Sequence, residues 1–219
     1  MPAKYDRSLL PPSPDLSHEM ALWQAGIRLV AGIDEAGRGA LAGPVAAAVV
    51  IFPADPEISL QLVGVNDSKQ LTPASRQRWA ERLPAVALAY GIGFASHHEI
   101  DELGILPATR LAVCRALEKL GIPPQHLLID YLDLPECSLP QTPLVKGDAR
   151  SLSIAAASIL AKTARDAHLC RIDVQYPGYG FARHKGYGTV AHRLAIGRLG
   201  LSDVHRRSFQ FSPIQGVEE

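Results

Sequence analysis

Cysteine is scarce: Cys114, Cys137 and Cys170 are odd in number and far apart, so they provide neither a disulfide framework nor a zinc-ligand spacing. They read as reduced packing residues. No apolar stretch is long enough for a signal peptide or a membrane span, and the first twenty residues mix charges with prolines. The expected form is a cytoplasmic monomer with no membrane partner. Net charge is also missing, since 22 Lys and Arg balance 22 Asp and Glu, which argues weakly against a nucleic-acid partner. The balance is uneven along the chain, however. Residues 1–145 hold 11 basic against 16 acidic groups, net −5, and residues 146–219 hold 11 against 6, net +5. One half can meet phosphate while the other holds cations.

At 219 residues with 47% hydrophobic and 20% charged side chains, the chain fits one globular domain. Residues 1–17 are Pro- and Ser-rich and lead into a short helix near His18 to Ala25. This gives an extension over 1–27, a core over 28–175 and a C-terminal segment over 176–219. Apolar runs predict strands at Arg28–Ile33, Gly43–Phe52, Val86–Ala95, His126–Asp130 and Pro143–Lys146. Helices are predicted from Pro73 to Leu83 behind the cap Thr72, over 107–120 with Leu111, Cys114, Leu117 and Leu120 facing the core, over Leu152–Leu169, and near Thr189–Leu199. Strands followed by helices imply an α/β layer fold.

In such sheets, polar groups at the carboxyl ends of strands converge on one crevice. Asp34 and Glu35 end the first predicted strand, Asp130 ends the fourth, and Asp148 follows the fifth. One strand-end Asp is commonly only a turn former. Several converging carboxylates repel one another unless a cation neutralises them, and a set without Cys or His suits a hard ion such as Mg²⁺ or Mn²⁺. Gly32 to Arg38 faintly imitates a phosphate loop but lacks the Lys-Ser/Thr ending, so a nucleotide hydrolase is excluded.

The stretches Ala31-Gly-Ile-Asp-Glu-Ala-Gly-Arg-Gly39, Leu41-Ala-Gly-Pro-Val45, Asp67-Ser-Lys-Gln-Leu71, Leu127-Leu-Ile-Asp130, Lys146-Gly-Asp148, Ser153 to Lys162 and His184-Lys-Gly-Tyr-Gly-Thr189 resemble, in order, the motifs of the ribonuclease HII family. The resemblance implies a ribonuclease H-like fold: α/β, with a mixed five-stranded sheet flanked by helices and a helical C-terminal segment that binds substrate. It implies an endonuclease that cuts the ribonucleotide-containing strand of RNA-DNA hybrids and nicks DNA 5′ to embedded ribonucleotides. Two divalent ions, Mg²⁺ or Mn²⁺, act in the reaction, which leaves a 3′-hydroxyl and a 5′-phosphate.

The family's four catalytic, metal-binding acids map onto Asp34, Glu35, Asp130 and Asp148. Gly37, Arg38 and Gly39 would read the 2′-hydroxyl, and Tyr187 would stack on the next sugar. Lys69, Lys162, Arg183 and Lys185 would contact phosphate. Asp166, the rival for the fourth acid, lies four residues after Lys162, where an ion pair explains it. Successive strand residues point to opposite faces, so Asp34 and Glu35 cannot both aim inward from a regular strand.

Three positions depart from the family pattern: Ala40 replaces a proline, Tyr131 a glycine and Gly104 an asparagine. A catalytically silent binder of hybrids is the alternative, and the retained acids argue against it. Ribonuclease HIII usually carries a further N-terminal domain, for which about 28 residues before the first strand are too few.

Overall fold

The computed structural model describes residues 10–212 and 214, so the first nine residues of the expected extension lie outside the described residues. Five strands, β1 (Val30–Ala36), β2 (Val45–Ile51), β3 (Ala89–Ala95), β4 (His126–Asp130) and β5 (Gln141–Leu144), form one sheet in the order β3-β2-β1-β4-β5. β1, β2 and β3 pair antiparallel, whereas β1–β4 and β4–β5 are parallel. The sheet is therefore mixed, and the parallel half sends the ends of β1 and β4 to one edge. Helices α1 (Ser17–Gln24), α2 (Ile58–Gln61), α3 (Pro73–Val86), α4 (His97–Leu103), α5 (Ile105–Leu117), α6 (Leu152–Gln175), α7 (Phe181–His184) and α8 (Val190–Leu199) surround it.

Small residues set the distance between layers. A Cβ on Gly91 or Gly93 of β3 would lie 2.0 or 2.1 Å from the carbonyl oxygens of Ala116 and Ala112, so α5 packs directly on the strand backbone. The face of α5 that this buries is Ala108, Thr109, Ala112, Val113 and Ala116. Of the expected stripe, Leu120 is buried in the core and Leu111 and Leu117 pack partly buried against it, whereas Cys114 is exposed. Cys170 is exposed too, so neither thiol is a packing residue; Cys137 alone is partly buried against the core. On the other face, a Cβ at Gly32 would meet Ser153 backbone at 2.2 Å, which lets the N-terminus of α6 cross β1 closely. Buried Glu19 of α1 anchors that helix start by accepting from the Ser151 hydroxyl (2.5 Å), the Ser153 hydroxyl (2.6 Å) and the Ser153 amide (3.0 Å).

Several boundaries differ from expectation. α3 continues past Pro84 to Val86, and the third strand starts at Ala89; the apolar run 86–88 joins a helix end to a strand start without a polar break. α4 was not expected, although Ser96 and Glu99 form a capping box. β5 spans 141–144 with Pro143 inside, which its place at the sheet edge allows. α6 runs to Gln175, and its second half, with Leu169 and Ile172, carries a separate cluster that joins Leu41, before β2, to Tyr179, Phe181, Ile196 and Val204 of the C-terminal segment.

Candidate active site

β1 does not stop at Asp34. It pairs with β2 through Ala36, so Asp34 and Glu35 are consecutive residues of a regular strand rather than its last two. Asp34, Asp130 at the end of β4, and Asp148 in the 3₁₀ turn Gly147–Ala149 each place a carboxylate oxygen within 4.8 Å of the others. The fourth expected acid is not in that trio. Glu35 lines the same cavity, but its carboxylate accepts from Arg38 at 3.0 Å. Asp166 pairs with Lys162 at 2.8 Å, as its spacing predicts, and is also outside the trio.

Local chemistry brings the three acids together. Gly147 follows Lys146, which takes a left-handed φ of +54°. The Gly147 amide donates to the Asp130 carboxylate at 2.7 Å. A Cβ at Gly147 would lie 2.7 Å from the Ile154 Cδ1 of α6 and 3.4 Å from the Asp130 Cα, so the turn is packed between α6 and the end of β4. Asp67 opens the turn that presents Lys69, whose ammonium reaches Asp148 at 3.3 Å. Behind it, buried Ser68 accepts from the Ser158 hydroxyl of α6 at 2.7 Å.

The electrostatics favour a bound cation. Burial, followed by the charges of Glu35, Asp130 and Asp148, holds Asp34 well above the ordinary carboxyl range. Burial and the Asp148 charge push Asp130 up to about 6. Asp148 is raised by burial and Asp67, against the opposing Lys69. Burial would lower the Lys69 ammonium, but Asp148, Asp67 and Asp34 more than reverse it. One lysine cannot neutralise three acids, and an all-carboxylate donor set fits a hard divalent ion.

Beside the acids, Gly37, Arg38, Gly39, Lys69, Lys162 and Tyr187 line one cavity with Asp34, Glu35 and Asp130. The two glycines are there for different reasons. A Cβ at Gly37, φ +95°, would lie 1.9 Å from the Arg165 Nε, whereas a Cβ at Gly39 meets nothing within 4 Å. Gly37 makes room for the protein's own arginine; Gly39 leaves the cleft open to a close-approaching ligand.

Sequence reasoning missed the two residues that shape this loop. Arg206 donates to the carbonyls of Gly37 (2.8 Å), Arg38 (2.8 Å) and Gly43 (2.9 Å). Arg165 donates to those of Ala42 (3.0 Å), Pro44 (2.8 Å) and Lys185 (2.9 Å). Both side chains are fully buried, and burial lowers both; Arg206 is brought down to about 9, with Arg165 adding to the effect. Among the described residues neither makes a salt bridge, so backbone carbonyls and the facing rings of Tyr187 and Phe209 take the place of an acid. Their spacing from the motifs carries no recognisable sequence signal.

The Arg165 guanidinium lies 5.3 Å and the Lys162 ammonium 5.5 Å from the Tyr187 ring centre. The Tyr187 carbonyl meets His192 Nδ1 at 3.0 Å, and His192 Nε2 meets His205 Nε2 at 3.0 Å. Burial pushes both histidines down to about 4, so at neutral pH they brace the turn as neutral rings. Two expected phosphate contacts are not in the cavity. Arg183 is exposed on α7, and the Lys185 ammonium folds back onto the Ala182 carbonyl and Cys170.

The family model for ribonuclease HII matches residues 31–212. A ribonuclease HII of Synechococcus sp. (strain JA-3-3Ab) is 59% identical over 94% of this chain and 91% of its own length. Among solved structures, the ribonuclease H2 of Pyrococcus horikoshii OT3 is 28% identical, with a TM-score of 0.68 over 83% of this chain and 93% of that one. The RNase HII of Archaeoglobus fulgidus, solved in complex with PCNA, is 25% identical, with a TM-score of 0.69 over 81% and 92%.

Proposed function

The chain belongs to the ribonuclease HII family and is a ribonuclease H-type endonuclease, and from that premise we propose that it hydrolyses the phosphodiester bond on the 5′ side of a ribonucleotide, in hybrids and in DNA duplexes with embedded ribonucleotides. The observation that carries this reading is a trio of mutually repelling acids, Asp34, Asp130 and Asp148, two of which line one cavity with the Gly37-Arg38-Gly39 loop and Tyr187.

Asp34, Asp130 and Asp148 would hold the divalent ions, Mg²⁺ or Mn²⁺, with Glu35 beside them. When bound, such ions stabilise the attacking water and the leaving 3′ oxygen. The chain's own groups do the positioning. Gly39 admits the ribose, and the loop around it is fixed from behind by Arg206. Tyr187, braced by Arg165 and His192, offers its ring to the next sugar. Lys69 and Lys162 supply positive charge for the phosphates at the cavity, and Arg183 and Lys185 would act farther along the duplex. No base edge needs to be read, so cutting follows sugar identity. The products are a 3′-hydroxyl and a 5′-phosphate.

A duplex carrying one ribonucleotide, incubated with each metal and mapped for its cut, tests the reading. The expected result is a single nick immediately 5′ to the ribonucleotide, lost in Asp34→Asn with duplex binding retained. Binding without cutting by the unaltered protein would favour the silent-binder alternative.

A further inference from the structure

At the end of β4 the chain reverses sharply. The Tyr131 amide donates to the Leu144 carbonyl at 3.0 Å, and the Leu132 amide returns to the Asp130 carbonyl at 2.6 Å. This reversal puts Tyr131 at φ +56°, and Lys146, at the corresponding exit of β5, is at +54°. Among the described residues only one other non-glycine residue, Lys185, has positive φ, so two of the three such positions flank the acids. Glycine adopts this conformation freely; a bulky aromatic stores strain in it. Nor does the ring recover that strain by packing, because Tyr131 is 68% exposed.

Tyr131, Lys146 and Lys69 line one recess with Asp130 and Asp148. That recess adjoins the cavity of the glycine loop and Tyr187, with Lys69 and Asp130 common to both. The acids therefore lie between two walls of the same composition: Tyr187 with Lys162 on one side, Tyr131 with Lys146 on the other. We propose that Tyr131 and Lys146 form a second contact for the cut strand, the ring packing on the sugar just upstream of the broken bond and the ammonium meeting that nucleotide's 5′-phosphate. The inference rests on the proposed nick 5′ to a ribonucleotide. With the ribose at the glycine loop and the scissile phosphate at the acids, the upstream nucleotide falls on the opposite side, where this recess is. Such contacts carry no base preference.

The test uses the unaltered protein, Tyr131→Gly, Tyr131→Phe and Lys146→Gln on two duplexes with one ribonucleotide. One duplex is unmodified; the other has a neutral methylphosphonate at the first phosphate upstream of the cut. Tyr131→Gly should raise Tm by about 2 to 4 °C, because strain is relieved, and yet raise KM about fivefold or more, because a stack is lost. Tyr131→Phe should leave both unchanged. Lys146→Gln should raise KM on the unmodified duplex and have no effect on the methylphosphonate one. An unchanged KM for Tyr131→Gly, or an undiminished Lys146→Gln effect on the neutral duplex, overturns the contact. If the unaltered protein does not cut at the ribonucleotide, the proposed function fails first and takes this contact with it.

Discussion

Replacing Asp130 with Asn should stabilise the metal-free protein while destroying its activity, and the stabilisation should depend on pH in a defined way. The carboxyl is held at about 6, against an ordinary value of 3.8, by burial first and by the charge of Asp148 next. As pH rises from about 4, the unfolded chain ionises this group while the folded chain retains its proton. Stability is therefore lost across the window from about 4 to 6 and stays lost above it. The displacement corresponds to about 3 kcal/mol. A chain of this size shifts by roughly 2 to 4 °C per kcal/mol, so the cost is roughly 6 to 12 °C in Tm. Asn keeps the oxygen that accepts from the Gly147 amide at 2.7 Å and cannot ionise, which also relieves Asp34. Thermal unfolding in a chelating buffer should show no Tm difference between variant and parent at pH 4 and a gap of that size at pH 7.5. Saturating Mg²⁺ should shrink or reverse the gap, since only the parent retains the full donor set. A gap that stays flat from pH 4 to 7.5 would refute the raised Asp130 carboxyl from which the prediction is worked.

Three further outcomes follow from the geometry. Asp148→Asn should lower nicking by orders of magnitude, and Asp166→Asn, which removes the partly buried i,i+4 partner of Lys162 but no member of the acid trio, by far less; the reverse ranking at equal folded stability would reassign the fourth acid. Gly37→Ala should destabilise the fold, because its Cβ would meet Arg165 at 1.9 Å, whereas Gly39→Ala should unfold at the parent's temperature and lose kcat/KM on ribonucleotide substrates; equal Tm losses would show that Gly39 is also structural. Tyr187→Ala should reduce kcat/KM at a single embedded ribonucleotide by about tenfold to hundredfold, and by less on an all-RNA strand paired with DNA, both measured at one salt concentration; equal losses would make Tyr187 a general positioning residue.

Strand ends and motif order point to Asp34, Asp130 and Asp148, which the fold brings together; the apolar runs pointed to an α/β layer fold, and the mixed sheet was implied by the family resemblance. Glu35 shows the limit. Its neighbour relation to Asp34 was plain, but its pairing with Arg38 depends on β1 continuing to Ala36. The leucines of α5 mark only the flank of its buried face, whose centre is the alanines set against Gly91 and Gly93, a partner that periodicity within one helix cannot reveal. α4 could have been found from Ser96 and Glu99. Arg165 and Arg206 could not, since a buried arginine held by carbonyls looks in sequence like any basic residue. Tyr131 stood out as a departure from the glycine of the family, and its positive φ supplies the reason glycine suits the place.

The carbonyl clamp also has a consequence in time. All three clustered acids precede residue 149, but the loop beside them is held by Arg206, which is translated after every one of them. A nascent chain that has already made its acids still lacks the guanidinium that holds the Gly37 and Arg38 carbonyls, and folding proceeds as synthesis does, from the N-terminal side. The loop proposed to read the ribose can therefore take its final shape only once residue 206 has joined the fold.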